Sequence, residues 1–325
     1  MPLAVGTLLR PYEFNIPGKL PPMSLSNFVV AVIGPTAAGK SDLAVAMAHE
    51  LGAEIINVDS MQIYRGMDIG TAKLSVAERE GIPHHLLDIL EVTRPATVAE
   101  FQVWARDAIA DCQARGVLPI LVGGSALYIR AVLDVFDFPG TDPAVRARLE
   151  SELESVGSAA MWERLAAADP AAAAQILPGN GRRIVRALEV IELTGEVYGS
   201  KLPPYVFAYD NVVVIGLAVP RPELNERLAM RVDRMWEAGL VDEVRALEAA
   251  GLREGRTASR ALGYAQVLDF LAGDLTEDEA REATVIGTRK FARRQDRWFK
   301  VDPRIHWLPY DSPTLLADAL ALLPR

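Results

Sequence analysis

Eight consecutive residues near the start of the chain have the pattern of a phosphate-binding loop, GPTAAGKS. The residues predicted to bind a diphosphate are Gly34, Pro35, Thr36, Ala37, Ala38, Gly39, Lys40 and Ser41. Glycines let the backbone form a nest of N–H donors, Lys40 adds a cation, and Ser41 offers a hydroxyl to Mg²⁺. The sequence therefore predicts a site for a diphosphate or triphosphate, with Mg²⁺ as cofactor and Ser41 as its metal ligand. A bare glycine-rich turn is the alternative.

A carboxylate follows the next apolar run. Residues 54–58 are predicted to form a buried strand, and Asp59 comes directly after it. In a parallel sheet this position lies at the carboxyl edge, beside the phosphate-binding loop. Asp59 is a candidate general base there, but it could equally cap the following turn or order Mg²⁺ through water.

Gly123, Gly124 and Ser125 end a third apolar run, where many nucleoside triphosphatases carry an acidic metal ligand. The two glycines suggest that substrate approaches the backbone closely, and we expect Ser125 to form a hydrogen bond near Asp59. The alternative is a tight turn in which Ser125 caps the next helix.

Alternating strands and helices position these groups. Strands are predicted over residues 28–33, 54–58 and 118–122, and helices over 40–51, 98–115 and 126–135. Thr97 and Glu100 form a plausible capping box for the second helix. Such alternation predicts an α/β fold, with a phosphate-binding loop in a doubly wound parallel sheet and crossover helices.

The sequence changes character after residues 137–143. Helical segments rich in Ala, Glu and Arg then continue until an apolar strand at residues 211–219, which is predicted to rejoin the sheet. Helices over 223–238 and 276–299 are expected to pack on the core. We therefore predict an N-terminal extension (1–26), a catalytic core (27–140 and 206–325) and an inserted helical domain (141–205).

Composition limits the possible partners. The 325 residues carry a formal net charge of −9, which argues against indiscriminate nucleic-acid binding. Two local groups of cations could still bind RNA or could simply be solvated. The first consists of Arg182, Arg183 and Arg186, and the second of Arg289, Lys290, Arg293, Arg294 and Arg297.

The single cysteine, Cys112, excludes an internal disulfide and a cysteine zinc cluster, and it fits a reducing cytoplasm. Residues 1–26 lack a signal-peptide core, and no apolar run is long enough to cross a bilayer. His84 and His85 invite a metal interpretation. No Cys or Glu stands at a suitable spacing along the sequence, so a structural or substrate-lining role is expected.

Further motifs follow in a fixed order: VDSMQIYRGMDIGTAK, PHHLLDI, LVGGSALY, DPAVRARLE, RRIVRALEV, SRALGY and TRKFARRQDRW. Together with GPTAAGKS they make the chain resemble the tRNA dimethylallyltransferase family, of the shorter bacterial type, from about residue 28 to 299. The resemblance implies transfer of a dimethylallyl group from dimethylallyl diphosphate to the exocyclic amine of the adenosine immediately 3′ of a tRNA anticodon. It implies catalytic roles for Asp59, Ser125 and Lys40, and diphosphate binding by Arg231. A surface ion pair of Arg231 with Glu226 or Asp233 is the alternative.

The resemblance also implies contacts with the tRNA anticodon stem-loop. The corresponding residues are Asp59, Ser60, Met61, Gln62, Ser125, Arg146, Arg182, Arg183, Ile184, Val185, Arg186, Arg260, Gly263 and Tyr264. We expect a cytoplasmic monomer without an obligate protein partner. Two other functions remain open: a small-molecule or nucleotide kinase with ATP in the phosphate-binding loop, and a non-catalytic RNA-binding protein.

Overall fold

The apolar run at residues 29–33 forms a central strand of a six-stranded parallel sheet. The computed structural model describes residues 25–198 and 203–324, so nearly all of the predicted N-terminal extension lies outside the described residues. The strands are β1 (Val29–Ile33), β2 (Glu54–Asn57), β3 (His84–His85), β4 (Pro119–Gly123), β5 (Val212–Ala218) and β6 (Ile305–Pro309). Their order across the sheet is β3-β2-β4-β1-β5-β6. The predicted α/β class with a parallel sheet is confirmed.

Every residue of β1 is buried because helices cover both faces of the sheet. Val29, Ala31 and Ile33 point into one hydrophobic cluster, whereas Val30 and Val32 point into another. This alternation explains why the strand is an unbroken apolar run in the sequence.

The helices are α1 (Lys40–Leu51), α2 (Val98–Ala114), α3 (Ala126–Leu133), α4 (Pro143–Ala168), α5 (Pro170–Ala173), α6 (Gly181–Thr194), α7 (Arg221–Glu237), α8 (Leu240–Ala249), α9 (Tyr264–Ala272), α10 (Glu277–Phe299) and α11 (Leu315–Leu320). The predicted helices agree with the observed ones to within two residues at each end. Thr97 and Glu100 form the predicted capping box of α2. The short strand β3, the edge strand β6 and helices α8, α9 and α11 were not predicted.

Helices α4, α5 and α6 have a hydrophobic core of their own, built around Leu149, Met161, Leu165, Ile184 and Leu188. Helix α4 is interrupted at Gly157, whose φ is 81° and ψ 164°. This separate core supports an inserted helical unit. Its predicted boundaries, residues 141 and 205, stay a prediction, since residues 199–202 lie outside the described part of the chain.

Among the residues that the structure describes, no helix combines the length and the apolar character that crossing a membrane requires.

Candidate active site

Three adjacent strands end beside one another and position the candidate site. The phosphate-binding loop follows β1, Asp59 follows β2 and Ser125 follows β4, and these strands are neighbours in the order β2-β4-β1. In a parallel sheet all three segments lie at the carboxyl edge, which is where open α/β sheets bind their ligands. The topology therefore brings together the residues that the sequence places up to 91 positions apart.

The phosphate-binding loop has the backbone that its sequence predicts. Gly39 adopts a left-handed conformation, with φ of 86°, directly before α1 begins at Lys40. Gly34 has φ of 147°, and a Cβ there would lie 3.1 Å from the carbonyl oxygen of Leu217 on β5. The helix therefore directs its N-terminal N–H groups and its positive dipole end at the loop, which is the arrangement that binds phosphate.

Lys40 lies among other charged groups at the loop. Its Nζ donates a 2.8 Å hydrogen bond to the carbonyl oxygen of Pro35. Burial, followed by repulsion from Arg231, lowers the pKa of Lys40 from 10.5 to about 8, and attraction to Asp59 partly opposes that shift. These influences place two cations and one carboxylate in a single region.

Asp59 caps a turn with one of its two carboxylate oxygens. Oδ1 accepts a 2.8 Å hydrogen bond from the Met61 N–H. The Asp59 N–H in turn donates to Oδ1 of Asn57 at 2.9 Å, which fixes the backbone after β2. Among the described residues no donor is hydrogen-bonded to Oδ2. The capping alternative is therefore correct for Oδ1, while Oδ2 remains available to a substrate.

Ser125 lies against the Asp59 segment. It precedes α3 but its hydroxyl does not cap that helix. Instead, Oγ accepts from the Ser60 N–H and donates to Ser60 Oγ, both at 3.4 Å. The predicted position near Asp59 is confirmed; Ser125 is the N-cap residue of α3 by position, but its side chain forms no capping hydrogen bond.

The two glycines before Ser125 make room for protein atoms. A Cβ on Gly123 would lie 2.7 Å from the backbone carbon of Val58, and one on Gly124 would lie 2.3 Å from Nε2 of Gln295. Packing against Val58 and Gln295 therefore requires glycine at both positions, and the close approach of substrate to this backbone stays a prediction.

Arg231 belongs to the site and not to a surface ion pair. Its guanidinium donates a 3.1 Å hydrogen bond to the carbonyl oxygen of Thr71, and burial lowers its pKa while Asp59 opposes the shift. Asp233, a partner considered from the sequence, pairs with Arg281 at 2.6 Å. Arg231 is therefore a second cation close to Lys40 and Asp59.

A half-buried carboxylate holds the loop that carries Thr71. Glu243 on α8 accepts hydrogen bonds from the backbone N–H groups of Asp68, Ile69 and Gly70, at 2.7–3.3 Å. It also accepts a 2.6 Å bond from the Tyr264 hydroxyl. The side chain of Tyr264 is fully buried, and the expected tRNA contact of the segment 260–264 stays a prediction. Sequence reasoning missed Glu243, because 173 residues separate it from Gly70.

A cavity of about 270 Å³ opens next to Ser125. Its lining residues are Gly124, Ser125, Ala126, Leu127, Tyr128, Phe291, Arg294, Gln295 and Trp298. Burial raises the pKa of Tyr128 to about 12; the negative charge of Asp59 adds to this shift, whereas the Arg182 guanidinium opposes it. Tyr128 is thus near both the candidate base and the helical insertion. Trp298, which also lines the cavity, is half-buried.

The arginines of the insertion divide into two groups. Arg182 and Arg183, at the start of α6, are exposed. Arg146 and Arg186 both pair with the carboxylate of Glu189, which is completely buried, and Arg186 also donates to the Pro139 and Gly140 carbonyl oxygens. A charge buried with two partners is a structural feature. Arg146 therefore holds α4 against α6, and Arg186 ties the segment before α4 to α6.

Two other residues expected at the tRNA interface are buried in the insertion. Ile184 and Val185 are at most 1% exposed and belong to its hydrophobic core. Helical periodicity turns their side chains inward while Arg182 and Arg183 face solvent, and the expected tRNA contact of the segment 182–186 stays a prediction. Arg260 is exposed, whereas Gly263 is buried.

The cations of α10 are mostly free. Lys290, Arg293, Arg294 and Arg297 are exposed, and within the described part of the chain none of them pairs with a carboxylate. Arg289 is half-buried and donates to the Asn225 carbonyl oxygen at 3.4 Å. One of these exposed cations, Arg294, lines the cavity beside Ser125. They form a positively charged surface on an acidic protein.

The environment of His85 differs from the sequence-based expectation. Its Nε2 lies 2.7 Å from Oε2 of Glu54 and 3.9 Å from Sγ of Cys112. These two residues could ligate a metal with His85, and they meet it in space although they are far from it along the chain. Both oxygens of Glu54 also accept from Arg115, at 2.7 and 2.6 Å. The pKa of Glu54 falls to about 2, first because of Arg115. The described contacts are those of an ion-pair network.

Comparison with known proteins places the chain in a family. The family model of the IPP transferases matches residues 62–302. The tRNA dimethylallyltransferase of Thermobifida fusca is 65% identical over 300 residues, 91% of this chain and 94% of the relative. That of Streptomyces coelicolor is 66% identical, over 91% and 96%.

Two solved structures have the same fold. The tRNA isopentenylpyrophosphate transferase of Bacillus halodurans superposes with a TM-score of 0.67, at 39% identity, over 90% of this chain and 94% of that one. A eukaryotic dimethylallyltransferase described as acting on tRNA gives a TM-score of 0.78, at 26% identity, over 91% and 77%. With the phosphate-binding loop, Asp59 and Ser125 at one sheet edge, this chain belongs to the tRNA dimethylallyltransferase family of IPP transferases.

Proposed function

We propose that this enzyme transfers a dimethylallyl group from dimethylallyl diphosphate to the exocyclic amine of the adenosine immediately 3′ of a tRNA anticodon, releasing diphosphate. The observation that carries the proposal is the meeting of two oppositely charged parts at one edge of the sheet. One part is the phosphate-binding loop with Lys40 and Arg231, and the other is Asp59 with a free carboxylate oxygen.

The cationic part stabilises the leaving group. When the allylic carbon–oxygen bond breaks, negative charge grows on the departing diphosphate. Loop N–H groups, the N-terminus of α1, Lys40 and Arg231 all present positive charge there. In a partly desolvated site, such fixed charges stabilise the transition state more than water would.

The carboxylate part activates the nucleophile. An aryl amine is a weak nucleophile, and its nitrogen must lose a proton as the nitrogen–carbon bond forms. Oδ2 of Asp59 would accept that proton, while Oδ1 keeps the carboxylate oriented through the Met61 N–H. The Ser125 hydroxyl, 3.4 Å from the Ser60 N–H, is placed to hold the amine or the carboxylate.

The residues present fit a bound Mg²⁺. Ser41 stands at the start of α1, is half-exposed, and has no hydrogen bond to its hydroxyl among the described residues. Mg²⁺ prefers a few protein oxygens together with phosphate oxygens and water. Bound there, it would neutralise charge on the diphosphate, and Ser41 would hold it.

The nucleic-acid partner would enter the site through the cavity beside Ser125. An adenine stacked in the anticodon loop cannot reach the Asp59 carboxylate, so we expect the target nucleotide to turn out of its stack into the cavity beside Ser125. Arg182, Arg183 and the exposed cations of α10 would neutralise phosphates of the anticodon stem-loop. We further propose that the protein works in the cytoplasm as a monomer.

The function is tested by measuring diphosphate release with tRNA alone, with dimethylallyl diphosphate alone, with both and with neither. We expect release only when tRNA and dimethylallyl diphosphate are both present, with no requirement for ATP. A kinase would instead consume ATP with a small acceptor, and a non-catalytic RNA-binding protein would bind tRNA without releasing diphosphate. Either of those results would overturn the proposal.

A further inference from the structure

The side chain of Gln295 connects the two chemical halves of the site. Gln295 lies on α10 and is 4% exposed. Its Nε2 donates a 2.9 Å hydrogen bond to the Gly124 carbonyl oxygen, and its Oε1 accepts a 3.1 Å bond from the Thr36 N–H. Thr36 belongs to the phosphate-binding loop, and Gly124 directly precedes Ser125. One amide thus bridges the phosphate-binding loop, which would hold the leaving group, and the loop that carries Ser125, which would hold the nucleophile.

Only one orientation of this amide satisfies both partners. A backbone N–H can only donate and a carbonyl oxygen can only accept, so Oε1 must face Thr36 and Nε2 must face Gly124. A flipped amide would place two donors together and two acceptors together. The bridge is therefore specified by the chemistry of its partners as well as by its distances.

Packing around Gly124 supports the bridge independently of the hydrogen bonds. A Cβ on Gly124 would lie 2.3 Å from Nε2 of Gln295 and 3.2 Å from the Gly34 carbonyl oxygen. Any larger residue would displace the amide or the loop. A glycine at position 124 thus allows α10 to approach both loops at once.

Helix α10 is fixed where it carries Gln295. Ala292, one turn earlier, is fully buried against Leu224 and Leu228 of α7, and Ala37 of the phosphate-binding loop packs on the same cluster. Arg227 of α7 also donates to the Ala37 carbonyl oxygen at 2.8 Å. The amide is therefore held by a supported helix, so it can restrain the two loops.

We propose that Gln295 is a positioning residue that sets the separation between the departing diphosphate and the attacking amine. The proposal rests on the proposed function. Gln295 acts on the reaction through Thr36 and Gly124, at the two ends of its amide. A displacement of about 1 Å between reacting groups costs on the order of 100-fold in rate. Removing the bridge should therefore slow the chemical step more than it weakens binding of either substrate.

Gln295→Met tests this, because methionine keeps the length and approximate volume but cannot form either hydrogen bond. We expect the single-turnover rate at saturating tRNA and dimethylallyl diphosphate to fall roughly 10- to 100-fold. The dissociation constants of both substrates should change less than about threefold. Gly124→Ala, which displaces the same amide sterically, should reproduce this pattern.

Gln102→Met is the matched control. Gln102 also bridges backbone carbonyls, those of Ala131 and Phe136 at 2.6 Å, but it touches neither site loop. Its replacement should lower the melting temperature without changing the rate per folded molecule. If Gln295→Met likewise lowers only the melting temperature and leaves the rate per folded molecule unchanged, Gln295 is structural and the proposal is wrong.

A double-mutant cycle with Ser125→Ala separates positioning from general support. If Gln295 acts by placing the Ser125 loop, its replacement should cost clearly less in the Ser125→Ala background than in wild type. If the rate loss of the double variant instead equals the product of the two single losses, the proposal is contradicted. Inactive wild-type protein would refute the proposed function instead, whereas active wild type with an equally fast Gln295→Met variant would refute only this inference.

Discussion

The depressed pKa of Lys40 predicts that diphosphate affinity depends on pH near neutrality. The protonated ammonium is the form that attracts the anion, and its pKa in the ligand-free protein is about 8. A bound diphosphate raises that pKa, so binding takes up a proton once the pH exceeds about 8. Affinity is therefore fully present below that pH and is lost as the pH rises through it.

The pKa gives the size of the effect. With a pKa of about 8, roughly nine in ten Lys40 side chains are protonated at pH 7, and about one in ten at pH 9. Pyrophosphate should then bind about tenfold more weakly at pH 9 than at pH 7. An ordinary lysine, with a pKa of 10.5, would stay protonated at both values and predict almost no change.

Titration calorimetry with pyrophosphate, without Mg²⁺, measures this ratio. Lys40→Arg is the control, since arginine remains charged throughout the range and the ligand's own ionisation affects both proteins equally. We expect the wild-type ratio to exceed that of Lys40→Arg by about tenfold. Equal ratios would refute the lowered pKa of Lys40, which burial causes first and Arg231 second.

Three further predictions follow from the described contacts. Asp59→Asn should lower the single-turnover rate by about two to four powers of ten, with little change in tRNA affinity; a near-wild-type rate would remove Asp59 as the base. Replacing Arg182 and Arg183 together with Ala should reduce the salt dependence of tRNA binding by about two phosphate contacts, while an unchanged slope would make them a solvated face. Glu243→Gln should destabilise the protein by about 1–3 kcal/mol in urea unfolding, because it removes charge from a carboxylate holding three backbone N–H groups; unchanged stability would contradict this role.

Local features of the sequence were sufficient to predict much of the fold. The phosphate-binding loop depends on backbone conformations that Gly34 and Gly39 allow, and β1 on an apolar run buried on both faces. The capping box of Thr97 and Glu100 spans only four residues. Such signals do not require knowledge of the rest of the chain.

Contacts between distant segments could not be predicted in the same way. Arg186 looks like part of a basic cluster until Glu189 is found beneath it, and the His85 neighbours Glu54 and Cys112 come from separate elements. Gln295 reaches a residue 259 positions away. Periodicity says which face a residue occupies, but it does not say which segment packs against that face.

The most direct test of the chemistry is mass spectrometry of nucleosides from tRNA that has been incubated with the enzyme, dimethylallyl diphosphate and Mg²⁺. We expect one adenosine, immediately 3′ of the anticodon, to gain a dimethylallyl group on its exocyclic nitrogen, in proportion to the diphosphate released. Unmodified adenosine after full consumption of the allylic diphosphate, or a dimethylallyl group attached to another atom, would contradict the proposed transfer.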